Sequence, residues 1–197
     1  MAFLRNVRCC AGTPASAGAE APLAGDRGGH ASCPFSPVPV ERPGGGRIED
    51  KTPPAPGDIV VVDGYERPVP LHRLAAEAWT ALTAAARLDG HAAPLFLPVS
   101  GYRSVDEQAW LWKGALVKYG DPEVAERWVA RPGTSAHQSG RAVDCHLGDP
   151  IESEYVEAMR QTAAYRWLVD QAEAFGFYPY DVEPWHWEYN PAWDGPG

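Results

Sequence analysis

Long apolar runs are absent from this chain of 197 residues. No stretch approaches the roughly 18 consecutive apolar residues that a transmembrane helix needs, so no membrane span is expected. The opening residues, MAFLRNVRCCAGTPASAG, supply arginines but lack the apolar core of about 7–15 residues found in a secretory signal. No signal peptide is therefore expected there. Basic residues are also in short supply: 17 Lys and Arg stand against 26 Asp and Glu, for a net charge of −9. Nucleic-acid binders present a basic face, and that class is excluded. Cysteine is sparse and scattered. Cys9, Cys10 and Cys33 lie near the N-terminus, Cys145 stands alone downstream, and no two have zinc-ribbon spacing.

Large apolar side chains are few in residues 1–57, where nine Gly and nine Pro occur instead. Such a composition buries too little surface to offset chain entropy, so 1–57 is expected to be a disordered tail or linker. Residues 58–192 are expected to form one domain, followed by a short tail at 193–197. The charge follows the same division: the first 57 residues are about neutral, and the excess of acid lies in the remainder.

Beyond residue 57 the pattern becomes that of a folded domain. DIVVVDG (58–64) is expected to be a strand closed by a turn, and LFLPVSGY (95–102) a second strand. Between them, residues 70–90 repeat Leu71, Leu74, Ala75, Ala78, Leu82 and Ala85 at helical period and stop at Gly90. Ser104 and Glu107 have capping-box spacing and open a helix to about Tyr119. Asp121-Pro122 starts a short helix, and residues 153–175 form a longer one ending at Gly176. Strands near 141–147 and 185–190 complete an α+β domain, with a small, mainly antiparallel sheet carrying packed helices.

Two polar stretches carry the candidate chemistry. In PGTSAHQSGRAVDCH (132–146), His137 and Asp144 are seven residues apart, too far for one helical turn. A loop presenting His137, followed by a strand presenting Asp144, suits that spacing. On such a strand Asp144 shares a face with Ala142 and Gly140, which leaves room for a metal and a substrate. In EPWHWEY (183–189), alternation sets His186 and Glu188 on one face and Trp185, Trp187 and Tyr189 on the other. Glu183 precedes Pro184 and is biased toward extended geometry, from which it points the same way as His186. His137, Asp144 and His186 thus form a candidate three-ligand set with Glu183 as general base. The competing reading is that these are separate hydrogen-bonded or packing groups.

SAHQSGRAVD fits the S-x-H-x-x-G-x-A-x-D pattern of the VanY-like D-alanyl-D-alanine carboxypeptidases. These are zinc peptidases of the superfamily that includes lysostaphin-type enzymes and hedgehog domains. SGYRSVDEQ (100–108) resembles their upstream substrate motif, and EPWHWEY resembles their final E-x-W-H-W-x-Y segment. The resemblance implies the fold of that superfamily, a bound Zn²⁺ on His137, Asp144 and His186, and Glu183 as the catalytic acid/base. It implies that Arg103 anchors the substrate, with Gln108 and Ser135 contributing contacts. Ala136 and Ser139 depart from the commoner acidic residue and threonine, and Cys145 and His146 replace a plain apolar strand.

The implied activity is removal of the terminal D-Ala from peptidoglycan stem peptides by zinc-activated water, in a monomer acting outside the cell or at its envelope. Alternatives on the same scaffold are an L-alanyl-D-glutamate endopeptidase, a D-Ala-D-Ala dipeptidase or a non-catalytic cell-wall binding module. Blander roles stand beside the implied ones: Arg103 as a surface ion-pair residue, Gln108 as a solvated helix position and Ser135 as a turn cap. Trp185 and Trp187 are expected in the core, Cys145 as a buried thiol and His146 as a packing histidine.

Overall fold

The computed structural model describes residues 47–191. The boundary expected at residue 57 falls inside this range, and Ile48, on the tail side of it, is buried against Ala136 and Ala142. The rest of the proposed tail, and residues 192–197, lie outside the described residues.

A hairpin of β1 (Ile59–Val62) and β2 (Val69–His72) leads directly into α1 (Arg73–Leu88). The helix expected over 70–90 therefore loses its first turn to a strand. The reason is local: the His72 side chain accepts a hydrogen bond from the Leu74 amide and caps the helix there. Ala75, Trp79, Leu82 and Ala86 then recur on one buried face.

The main sheet has four antiparallel strands in the order β3-β4-β6-β5: β3 (Pro98–Ser100), β4 (Ala142–Cys145), β6 (Glu183–Tyr189) and β5 (Phe177–Tyr180). Between β3 and β4 lie α2 (Val105–Tyr119) and α3 (Pro122–Glu126). The expected Ser104–Glu107 capping box opens α2, with both reciprocal bonds formed. The single helix expected over 153–175 is instead broken into α4 (Val156–Arg160) and α5 (Ala163–Gln171), flanked by 3-10 turns. Thr162 causes the break, since its hydroxyl accepts from the Tyr165 amide and starts a new helix.

Alternation along β4 and β6 divides core from site. Val143 and Cys145, with Trp185 and Trp187, face the helices and join Trp79, Leu82, Phe96, Leu168 and Phe177 in one core. Trp79 meets Phe177 edge to face, 4.8 Å between centroids. Cys145 is fully buried, and burial first and then the Asp144 charge push its thiol well above its ordinary pKa. It is a packing group, as expected. His146 stacks on Tyr65 at 3.9 Å and belongs to neither core nor metal cluster.

The opposite face of the sheet carries Ala142, Asp144, His186 and Glu188. Register pairs Asp144 with His186, Ala142 with Glu188, and Ser100 with Asp144. Gly101, just past β3, lies against β2: a Cβ there would fall 2.3 Å from the Pro70 carbonyl and 2.7 Å from Leu71. Gly101→Ala is expected to destabilise the protein by about 1–3 kcal/mol, the usual result of forcing volume into a packed site. An unchanged urea midpoint in that variant would contradict this packing.

Candidate metal centre

Three elements converge on the polar face. β4 presents Asp144 and β6 presents His186 directly opposite it. His137 comes from a 3-10 turn, Ala136–Ser139, that ends at Gly140 with φ of 69°, a left-handed conformation that glycine adopts without strain. The turn is docked by the His72 amide, which donates to the Gly140 carbonyl at 2.8 Å, and by the Arg103 amide, which donates to the His137 carbonyl at 3.1 Å. His137 Nε2 is 3.2 Å from one Asp144 oxygen, and His186 Nδ1 is 2.8 Å from the other. One ligand atom from each residue lies within 4.8 Å of the others.

The outer ring nitrogens fix how the inner ones face. His137 Nδ1 lies 2.7 Å from the Gly101 carbonyl, which only accepts, so Nδ1 carries the proton and Nε2 offers its lone pair inward. His186 Nε2 lies 3.4 Å from Glu188 Oε1, so Nδ1 is the inward atom of that ring. Histidines oriented by a carbonyl and a carboxylate are the usual outer support of a metal site. Zinc takes imidazole nitrogens and carboxylate oxygens at about 2.0–2.2 Å, and two imidazoles and one carboxylate are what this cluster offers. The donor set therefore fits zinc, with His137, Asp144 and His186 as the holding residues.

The electrostatics agree. Burial disfavours the Asp144 carboxylate, yet the charges and hydrogen bonds of the two histidines outweigh it and hold the group well below the usual carboxylate range. Burial also works against the imidazolium of His186, but hydrogen bonds to Asp144 and Glu188 prevail and raise its pKa to about 9. His137 moves the other way: burial dominates over Asp144 and keeps that ring neutral. Asp144 thus shares its proton preference unequally, with His186 as the basic partner.

A cavity of about 350 Å³ opens at Asp144, lined also by Glu183, Arg103, Trp185 and the acidic Glu152 and Glu154 among others. Glu183 begins β6 and is half-buried. Burial, reinforced by the Asp144 charge, raises its carboxyl from 4.5 to about 7. Arg103 is half-buried and held by neutral partners: one guanidinium nitrogen donates to Gln108 Oε1 at 2.8 Å, the other to Ser100 Oγ at 3.1 Å. It forms no ion pair among the described residues, so the surface ion-pair reading does not hold.

Gln108 is likewise not solvated. It is fully buried, and its amide also donates to the Ala130 carbonyl at 2.7 Å. Ser135 is buried at the start of the His137 turn, without a side-chain capping bond. Trp187 is core as expected, whereas Trp185 is both core and cavity wall. Alternation sets Glu188 beside His186 without indicating a role for it, and the Gly101 carbonyl has no sequence signal.

A trio that could hold a metal thus meets, over one face of the sheet, a carboxylate poised near neutrality and a half-buried arginine. The chain belongs to the VanY D-alanyl-D-alanine carboxypeptidase family, whose model matches residues 69–192. It is 37% identical over 126 residues to a D-alanyl-D-alanine carboxypeptidase of Enterococcus faecalis, covering 53% of this chain and 42% of that protein. The chain spans about half the length of the curated relatives it matches. Among solved structures it is similar to the LdcB LD-carboxypeptidase, with a TM-score of 0.58, 30% identity and 71% coverage of both chains. It is also similar to a mutant of the vancomycin resistance D,D-pentapeptidase VanY in complex with Zn(II). There the TM-score is 0.52 and the identity 29%, covering 72% of this chain and 84% of that one.

Proposed function

We propose that this protein is a zinc-dependent D,D-carboxypeptidase that removes the terminal D-Ala from peptidoglycan stem peptides, acting where that substrate lies, outside the cytoplasmic membrane. The observation that carries this reading is the meeting in one cavity of Arg103, Glu183 and Asp144, the residue that links His137 and His186 in the candidate metal cluster. When bound, zinc supplies Lewis-acid chemistry, polarising a carbonyl and acidifying water toward neutral pH. Arg103 presents a planar fork with N–H groups left over after its two neutral partners, suited to the free carboxylate of a peptide C-terminus. Glu183, with a pKa near that of the medium, accepts a proton from the attacking water and returns it to the leaving amine. A binding module needs no such base.

Likeness to LdcB favours one second reading, L,D-cleavage of a tetrapeptide on the same site. Arg103 tests what both readings share. Arg103→Ala is expected to lower kcat/KM by about 100-fold on a peptide with a free C-terminus, the loss of roughly two charge-assisted hydrogen bonds. On the C-terminally amidated peptide, already a poor substrate, the same variant changes little. Equal losses on both peptides would remove Arg103 from carboxylate recognition.

A further inference from the structure

One buried carboxylate beside the cluster takes no part in the proposed reaction. Glu188 is 2% exposed, on the site face of β6, across from Ala142. Its oxygen Oε1 lies 3.4 Å from His186 Nε2 and 3.8 Å from Arg47 Nε. Its other oxygen accepts a hydrogen bond from the backbone amide of Ile48. A buried carboxylate without partners is strongly disfavoured, and this one draws its partners from a metal ligand and from the segment before the domain.

That segment is anchored at several points. The Arg47 guanidinium lies 4.2 Å from the centre of the Tyr180 ring, and the Arg47 carbonyl accepts from Asn190 Nδ2 at 3.2 Å. The Asp50 carbonyl accepts from the Arg141 guanidinium at 3.0 Å. Ile48, 3% exposed, packs with Ala136 and Ala142. Ala136 belongs to the turn that delivers His137, and Ala142 lies on the strand that delivers Asp144. The Ile48 amide reaches Glu188 on the strand that delivers His186. A single residue thus touches all three ligand-bearing elements.

We infer that Glu188 is a positioning residue for the metal ligand His186, and that Arg47 and Ile48 form a strap that holds Glu188 in place. This rests on the reading of His137, Asp144 and His186 as zinc ligands. Glu188 fixes the ring so that Nδ1 faces the ion. The strap fixes Glu188 through a backbone amide, a donor that any residue except proline provides. Residues 47–50 are then part of the site's support and not merely a tether.

The test is the zinc dissociation constant of the full chain, by competition with a chromogenic chelator, with folding of each variant checked by near-UV circular dichroism. Glu188→Gln keeps the shape but turns one oxygen into a donor that faces either the Ile48 amide or the His186 N–H. It is expected to weaken zinc binding by about 10–100-fold, the usual effect of losing an outer partner of a metal ligand. Ile48→Pro deletes the amide donor. It is expected to weaken zinc binding clearly more than Ile48→Ala, which loses the same packing but keeps the amide.

Wild-type affinity in both Glu188→Gln and Ile48→Pro overturns the inference and leaves the zinc reading standing. Equal losses in Ile48→Pro and Ile48→Ala overturn the part assigned to the amide. A wild-type chain that binds no zinc overturns the zinc reading, and the inference with it.

Discussion

Glu183→Gln is expected to lower turnover of a stem peptide by on the order of 10²–10⁴-fold, the usual contribution of a general base, with zinc content unchanged. The same substitution should stabilise the metal-free protein at alkaline pH. Glu183 ionises at about 7 in the fold against 4.5 ordinarily, because burial and the Asp144 charge penalise its carboxylate. A carboxyl whose pKa is raised by folding adds stability below its unfolded value, and that stability is lost as pH rises through the folded value. A displacement of this size corresponds to roughly 3 kcal/mol at pH 8 or above. Glu183→Gln, which never ionises, escapes that loss. Urea unfolding at pH 5 and pH 8.5 checks the sign: the variant gains on the wild type only at the higher pH. Such a gain, paired with lost turnover, marks a group held at a functional site against its own solvation. An equal effect at both pH values would show that the carboxyl is not perturbed.

Asp144→Asn is expected to abolish zinc binding at micromolar metal, because it removes the only anionic ligand and the partner shared by both histidines. The loss should exceed the 10–100-fold typical of outer-sphere changes. In the wild type, zinc binding carries its own pH signature. His186 ionises at about 9 in the metal-free fold, above its ordinary 6.5, as its bonds to Asp144 and Glu188 overcome burial. Its stabilisation is fully present below 6.5 and is lost as pH rises through about 9. The Glu183 contribution falls away in the same direction. Zinc needs the unprotonated ring and competes with that proton. The rise in Tm on adding zinc is therefore expected to be larger at pH 8.5 than at pH 6. A rise independent of pH would mean that His186 carries no proton that the metal must displace.

Much of this site was legible because it rests on local periods. The two-residue repeat of β4 and β6 correctly separated Asp144, His186 and Glu188 from Val143, Trp185 and Trp187. Capping chemistry likewise placed α2 at Ser104. Three features were not legible. FYPY (177–180) contains Pro179 and gives no clean strand signal, yet it pairs with β6 as an edge strand, where proline is tolerated. The break at Thr162 lies within a continuous helical pattern, and the competing cap is visible only once the Tyr165 amide is seen to turn toward it. Gln108 reads from sequence equally as a solvated helix position or a site residue, because its partners, Arg103 and the Ala130 carbonyl, become neighbours only when α2 packs beside the loop before His137. The support of the metal ligands is the most remote feature. The Gly101 carbonyl is 36 residues from His137 and the Ile48 amide is 140 residues from Glu188, separations that no local pattern reports.

The central claim is that one zinc site, with Arg103 and Glu183, takes a single D-Ala from the end of a stem peptide. Mass spectrometry of the products from a pentapeptide ending in D-Ala-D-Ala and from the corresponding tetrapeptide tests it most directly, using the zinc-loaded full chain with and without a chelator. Free D-Ala and tetrapeptide are expected from the pentapeptide, with little change in the tetrapeptide, loss of activity with chelator and recovery with added zinc. Release from the tetrapeptide alone would move the assignment to L,D-cleavage, and release of intact D-Ala-D-Ala would make the protein a dipeptidase. Zinc bound with neither peptide cut would mean that the site is not that of a carboxypeptidase.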